Sequence, residues 1–352
     1  GLAMNCDIRK NNEFSRKNYF YPDLPKGYQI TQFDTPICER GEVIIDTKDG
    51  QKKIGITRIH IEEDSGKSIH DLDPYFTLID LNRAGVPLLE IVTEPDLRSS
   101  QEAYSYLTEV RKLVRYLGIC DGNMEEGSLR CDANISVMLK GSDRFGEKVE
   151  VKNMNSIRNV QRALDHEMCR QIEAVEKGEK IFQSTRGFDP VKGTTFLMRT
   201  KEDAHDYRYF NEPDLPPVVL TDEYISKIKS KLPELPRALF EKYVDSYGLS
   251  AYDAGVLTDD KSTAEYFEQL SGECGDYKLA ANWIMGAVKT YLNEHALHMD
   301  DFPLSSSSLS ALILMVKEGK ISRKDMETRL DEMKKAIRDN VILMHMCLTS
   351  LS

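Results

Sequence analysis

Three patterns predict an α+β fold: an antiparallel β-sheet domain with inserted helices, followed by an all-helical domain. Up to about residue 220, short β-branched segments of period two recur between Gly- and Pro-rich turns. Two long segments of helical period interrupt them. Beyond the double proline of EPDLPPVVL (212–220), the period is helical almost throughout.

The candidate strands are 41–46, 53–62, 76–80, 88–93, 129–138 and 148–152. In RIHIE, Ile59 and Ile61 take one face, and Arg58, His60 and Glu62 the other. In LRCDANIS, Leu129, Cys131, Ala133 and Ile135 oppose Arg130, Asp132, Asn134 and Ser136. In KVEVK, Val149 and Val151 oppose Lys148, Glu150 and Lys152. The first helix, SSQEAYSYLTEVRKLVRYLG, has Ser99 or Ser100 as N-cap and stops at Gly118. The second, NSIRNVQRALDHEMCRQIEAVEKGE, stops at Gly178. Each carries one apolar face to lay on a sheet, the arrangement of an α+β domain. Pro216 and Pro217 continue neither a helix nor a central strand, so a boundary is expected at 220. Residues 221–303 form the helical domain. Residues 304–352 hold a polar linker or serine-rich helix start and a last helical pair.

A chain of 352 residues holds two or three domains. Its net charge of −11 excludes a general nucleic-acid binder, so RNA contact falls to local patches such as Lys227, Lys229 and Lys231 in KIKSK. No apolar run approaches the ~20 residues of a membrane span, and the start lacks signal-peptide architecture. Seven scattered cysteines argue against a disulfide framework or zinc ribbon and for a reducing cytoplasm. The opening Gly1 reads as the start of a fragment.

Glu62, Glu63 and Asp64 end one strand side by side, and Glu125 and Glu126 precede another. A solvated strand end is the plain explanation. If the strands are neighbours, Glu62, Glu63, Asp132 and Glu150 converge, and their repulsion needs a cation. Hard oxygen donors favour Mg²⁺ over zinc. The lysines and arginines beside them suit phosphate. The chemistry reads as metal-assisted phosphoryl transfer, although no Walker loop, kinase motif or nucleophile elbow occurs.

Five stretches carry a resemblance: KNYFYPDLPKGYQI (17–30), LNRAGVPLLEIVTEPDLRS (81–99), NMEEGSLRCDANISV (123–137), VEVKNMNSIRNVQRAL (149–164) and MRTKEDAHDYRYF (198–210). Over residues 1–321 the chain resembles the GatB/GatE family, the B subunit of the tRNA-dependent amidotransferase. The resemblance implies a cradle-shaped catalytic domain. It also implies ATP- and Mg²⁺-dependent phosphorylation of the side-chain carboxylate on Glu-tRNA(Gln) or Asp-tRNA(Asn). Ammonia from the amidase A subunit then displaces phosphate, and a small C subunit ties the two together. Carried over by this resemblance, Glu62, Glu63 and Glu150 are metal ligands, with Glu63 and Glu150 preferred. Glu125, Glu126, Asp132, Lys152 and His205 are catalytic candidates, and Lys26, Arg130 and Lys152 hold the nucleotide. Alternation alone pairs Glu62, not Glu63, with His60. The family's opening GLEVHVEL-like strand and its cysteine-based zinc element precede Gly1, so an incomplete metal site and no zinc are expected. The end, VILMHMCLTSLS, is unlike the family's helical tail, and Asn211 stands where many members have proline.

Other residues divide between site and surface. Lys26 and Tyr28 in DLPKGYQI touch nucleotide or tRNA, or form an ordinary turn. Arg199, Lys201, His205, Asp206, Arg208 and Tyr209 line the catalytic or ammonia path, or a solvated helix start. Trp283, Met285 and Leu292 are expected in the core, and His295 and His298 on the surface.

Overall fold

The computed structural model describes residues 1–70, 72–200, 206–320 and Ser322. The chain divides into two compact units between Leu232 and Pro233.

Among the described residues the first unit holds five sheets. The largest antiparallel one runs β1 (Asp7–Ile8), β5 (Cys38–Thr47), β6 (Gly50–Glu63), β9 (Pro87–Thr93). A second runs β10 (Ala133–Ile135), β11 (Val149–Lys152), β12 (Ser184–Asp189), β13 (Thr194–Thr200). A third orders β14 (Phe210–Asn211), β3 (Ser15–Asn18), β4 (Tyr28–Thr31). Two pairs complete the set: β15 (Val218–Val219) with β2 (Asn11–Asn12), and β7 (Lys67–Ile69) with β8 (Leu78–Asp80). The expected strand 129–138 shortens to β10. One pairing departs from the antiparallel expectation: β11 and β12 are parallel, joined by a helix. Strand β6 does not pair with β10 or β11, so the condition for all four carboxylates to converge is not met by strand pairing.

Helix α1 (Ser100–Tyr116) is capped by Ser99, whose hydroxyl accepts from Glu102 N at 3.1 Å. Helix α2 (Ile157–Glu176) is capped by Ser156, accepting from Asn159 N at 3.1 Å. Gly118 and Gly178 follow them at φ 65° and 76°, the left-handed conformation that glycine takes without strain. The two helices pack on the two larger sheets around one core. It joins Ile45, Ile54 and Ile56 to Val110 of α1, Val160 and Ala163 of α2, and Val151 and Phe188 of the second sheet.

Helix α3 (Asp222–Lys229) groups with the first unit, although the double proline precedes it. The described part of the second unit is helical: α4 (Pro236–Asp245), α5 (Ala251–Leu257), α6 (Lys261–Cys274), α7 (Tyr277–Trp283), α8 (Lys289–His295) and α9 (Ser306–Lys317). A π-helical turn, Ile284–Val288, joins α7 to α8. Ser305 caps α9, so the serine run is a helix start. Trp283 is buried, and Met285 and Leu292 are half-buried. His298 is exposed as expected, but His295 is half-buried, its ring stacked on Tyr291. The last expected helix lies outside the described residues. No helix among the described residues is long and apolar enough to cross a membrane.

Candidate functional site

Strand β6 bends into the site. Its register with β9 shifts between Ile56 and Arg58, a bulge, and the buried phase passes from Ile54 and Ile56 to Ile59. Beyond the bulge, His60 and Glu62 share the other face. Glu90 of β9 sits directly opposite His60. His60 Nε2 lies 3.8 Å from both Glu62 Oε2 and Glu90 Oε2. These are the one group of at least three potential ligands among the described residues whose donor atoms all lie within 4.8 Å.

The group lines a cavity of about 170 Å³ with Lys17, Thr31, Gln32, Phe33, Arg58 and Tyr209. Lys17 and Arg58 make no ion pair among the described residues; Lys17 Nζ instead lies 5.0 Å from the Tyr207 ring centroid. Phe33 and Tyr209 stack at 4.0 Å and form an aromatic wall. Burial first, then Tyr207, Glu62 and Glu90, push the Tyr209 hydroxyl above its ordinary pKa, so it stays a donor.

The donor set suits a divalent cation. Two carboxylates and an imidazole bind Mg²⁺ or Mn²⁺, and the two oxygens tilt the choice away from zinc. His60 is 5% exposed and its Nδ1 is buried without a partner. An imidazole that gives Nε2 to a cation keeps its proton on Nδ1. The atom spacing is wider than a closed coordination sphere, so the side chains would draw in on loading.

Glu62 is in the cavity, while its neighbour Glu63 turns to the opposite face. There Glu63 Oε1 meets Lys26 Nζ at 2.5 Å and accepts from Ile30 N at 2.8 Å. Lys26 also lies 4.8 Å from the Tyr28 ring. Glu150 Oε2 accepts from Thr185 at 2.9 Å, and its Oε1 lies 3.4 Å from Lys152. Lys152 also bonds Asp132. Burial works to lower the Lys152 pKa, but Asp132 and Glu150 outweigh it and raise it. Arg130 pairs with buried Asp64, which Arg83 also holds at 3.0 Å. Glu125 and Glu126 are exposed in a turn whose backbone N–H groups Asn123 Oδ1 accepts. Arg199 Nε is 3.5 Å from Thr185, and Asp206 accepts from Arg208 N. Lys201 and His205 lie outside the described residues. Lys227, Lys229 and Lys231 are exposed on and after α3.

Thus Glu62 joins His60 and Glu90, whereas Glu63 and Glu150 make other contacts. Glu90, Lys17, Arg58 and Gln32 are new to the site. Glu90 had a signal: a lone acid amid the aliphatic residues of PLLEIV.

The chain as a whole matches known proteins closely. A family model described as the GatB/GatE catalytic domain matches residues 1–226, and one described as the GatB domain matches 265–342. The chain belongs to the GatB/GatE family. Among relatives, one from Trichlorobacter lovleyi is 53% identical over 322 residues, 92% of this chain and 68% of that protein. One from Pseudomonas aeruginosa is 54% identical over 325 residues, again 92% and 68%. One from Bdellovibrio bacteriovorus is 49% identical over 344 residues, 98% and 72%. Each is named as the B subunit of an aspartyl/glutamyl-tRNA(Asn/Gln) amidotransferase. The His60–Glu62–Glu90 group lies within the residues that the catalytic-domain model matches.

Proposed function

We propose that the chain is the component of a tRNA-dependent amidotransferase that activates the side-chain carboxylate of misacylated Glu-tRNA(Gln) or Asp-tRNA(Asn). The observation that carries this reading is the cavity itself: two carboxylates and an imidazole beside two cations without ion pairs among the described residues. Such a mixture suits a divalent cation together with phosphate oxygens.

His60, Glu62 and Glu90 would hold Mg²⁺, which when bound supplies positive charge to phosphate oxygens. Lys17 and Arg58 bind and orient the anionic groups. The volume, about 170 Å³, is small beside the ~300–1,000 Å³ of whole-ligand pockets, so it takes reacting ends and not an entire nucleotide. There a substrate carboxylate oxygen attacks the terminal phosphorus of ATP, and ADP leaves. Ammonia then attacks the activated carbonyl carbon, phosphate leaves with the electron pair of the broken C–O bond, and the nitrogen gives up one proton to that phosphate. Phe33 and Tyr209 limit water, which would otherwise hydrolyse the acyl phosphate.

The relatives' names, which make each of them one part of a larger enzyme, support an assembly with further subunits. In this reading they are an amidase A subunit that supplies ammonia and a small C subunit. The exposed Lys227, Lys229 and Lys231 suit tRNA backbone contact. The reaction belongs in a reducing compartment, the cytoplasm or an organellar matrix.

The test is kinetic. Lys17→Met and Arg58→Met in the assembled enzyme are each expected to raise the KM for ATP by about tenfold. Glutamine hydrolysis by the partner should be unchanged. Unaltered ATP dependence in both variants would favour the other reading, a tRNA-binding scaffold without its own catalysis.

A further inference from the structure

Gln32 follows β4 and is 2% exposed. Its Oε1 accepts from two backbone donors, Ile37 N at 3.1 Å and Ile61 N at 3.0 Å. The reason lies in the sheet. Strand β5 begins at Cys38, opposite Ile59, so it gives no partner to Ile61 N–H. The Gln32 carboxamide replaces the missing strand. Two N–H donors on one atom identify that atom as oxygen, which fixes the amide orientation.

The Nε2 end plays no part in this staple. It is buried and has no partner, yet Gln32 lines the same cavity as His60, Glu62, Lys17 and Arg58. Buried amide hydrogens are nearly always satisfied, so an orphan beside a candidate binding site points to a ligand. The ligand atom must be an acceptor, because Nε2 only donates. Contact with Ile61 N also sets the carboxamide against the backbone next to His60, whose Nδ1 is the second orphan of this cavity.

We infer that Gln32 contacts substrate, donating an Nε2–H hydrogen bond to an anionic oxygen held in the cavity. The inference rests on the proposed phosphate chemistry. A phosphoryl oxygen of the nucleotide and the acyl carboxylate of the charged tRNA share the needed acceptor chemistry. Lys17 and Arg58 supply long, mobile charges, whereas Gln32 supplies a neutral donor fixed by two backbone bonds. It serves orientation more than attraction.

Gln32→Glu is the informative variant. It keeps an oxygen for Ile37 N and Ile61 N, and removes the donor at neutral pH. Titrate Mg²⁺–ATP, and separately non-reactive acylated tRNA, into the assembled wild-type enzyme and the variant, at pH 8 and pH 5. Gln32→Glu is expected to weaken one of the two at least tenfold at pH 8. Relative to wild type at each pH, the loss should shrink at pH 5, where a protonated carboxyl donates again. Gln32→Leu should show the loss at both values. Whichever probe weakens names the oxygen. Equal affinities in wild type and Gln32→Glu for both probes would overturn the role of Gln32 and leave the site assignment standing. No binding of Mg²⁺–ATP by the wild type itself would overturn both.

Discussion

Glu62→Gln in the assembled enzyme is expected to lower ATP-dependent amidation by about 100- to 1,000-fold, the scale of losing one preorganised electrostatic group. Glutamine hydrolysis by the partner should be spared. The substitution keeps shape and the 3.5 Å Thr31 hydroxyl contact, and removes one of two carboxylate charges beside His60. Without metal, that change also relieves repulsion between Glu62 and Glu90. The variant should therefore melt no lower than wild type in chelator, and should gain less from added Mg²⁺ or Mn²⁺. Loss of activity together with a lower melting point in chelator would mean that Glu62 is a structural residue.

Of this site, Glu62, its pairing with His60, and Tyr209 were legible in the sequence, and most of the rest was not. Period two over 58–62 places His60 and Glu62 on one face, and the structure keeps them together. That alternation begins only after the bulge at Ile56–Arg58, so extending it back through Ile54 and Ile56 would mis-assign the faces. Glu90 belongs to the group because register sets it across from His60, and pairing register is not written in either strand alone. The helices were plain because Ser99, Ser156, Gly118 and Gly178 mark their ends. Strands β12 and β13 were not legible. STRGFD mixes charge with Gly187, which reads as a turn. Gly187 instead admits the Phe196 ring, 2.4 Å from where a Cβ would sit. Missing β12 also hid the parallel pair and the crossover role of α2.

The second large effect is on stability. Glu167 of α2 is fully buried and accepts from Arg170 Nη2 at 2.6 Å, Gln171 at 2.9 Å and Thr195 at 2.8 Å. Arg186 Nε lies 3.3 Å away. Glu167→Gln should destabilise the first unit by about 3–5 kcal/mol, because it leaves half-buried guanidinium charge without its counter-charge. Burial pushes the Glu167 carboxyl up, but the bonds from Arg170, Gln171 and Thr195 and the Arg170 charge hold it below its ordinary value. A lowered folded pKa gives stability that is full above the unfolded carboxyl value, ~4.3, and is lost as pH falls through the folded one. Wild type should thus lose stability on acidification over that window more steeply than Glu167→Gln. Denaturant melts at pH 7, 5 and 3 measure both effects. Parallel acid limbs, or a variant as stable as wild type at pH 7, would show that the network contributes little.

The central claim is that His60, Glu62 and Glu90 hold the cation that accompanies phosphate. The most direct measurement is anomalous diffraction from crystals of the assembled enzyme soaked with Mn²⁺ and a non-hydrolysable ATP analogue. The expected result is a manganese peak bounded by His60 Nε2 and the Glu62 and Glu90 carboxylates, with analogue phosphate beside Lys17 and Arg58. A peak on Glu63 or Glu150, with nothing at His60 and Glu90, would contradict it.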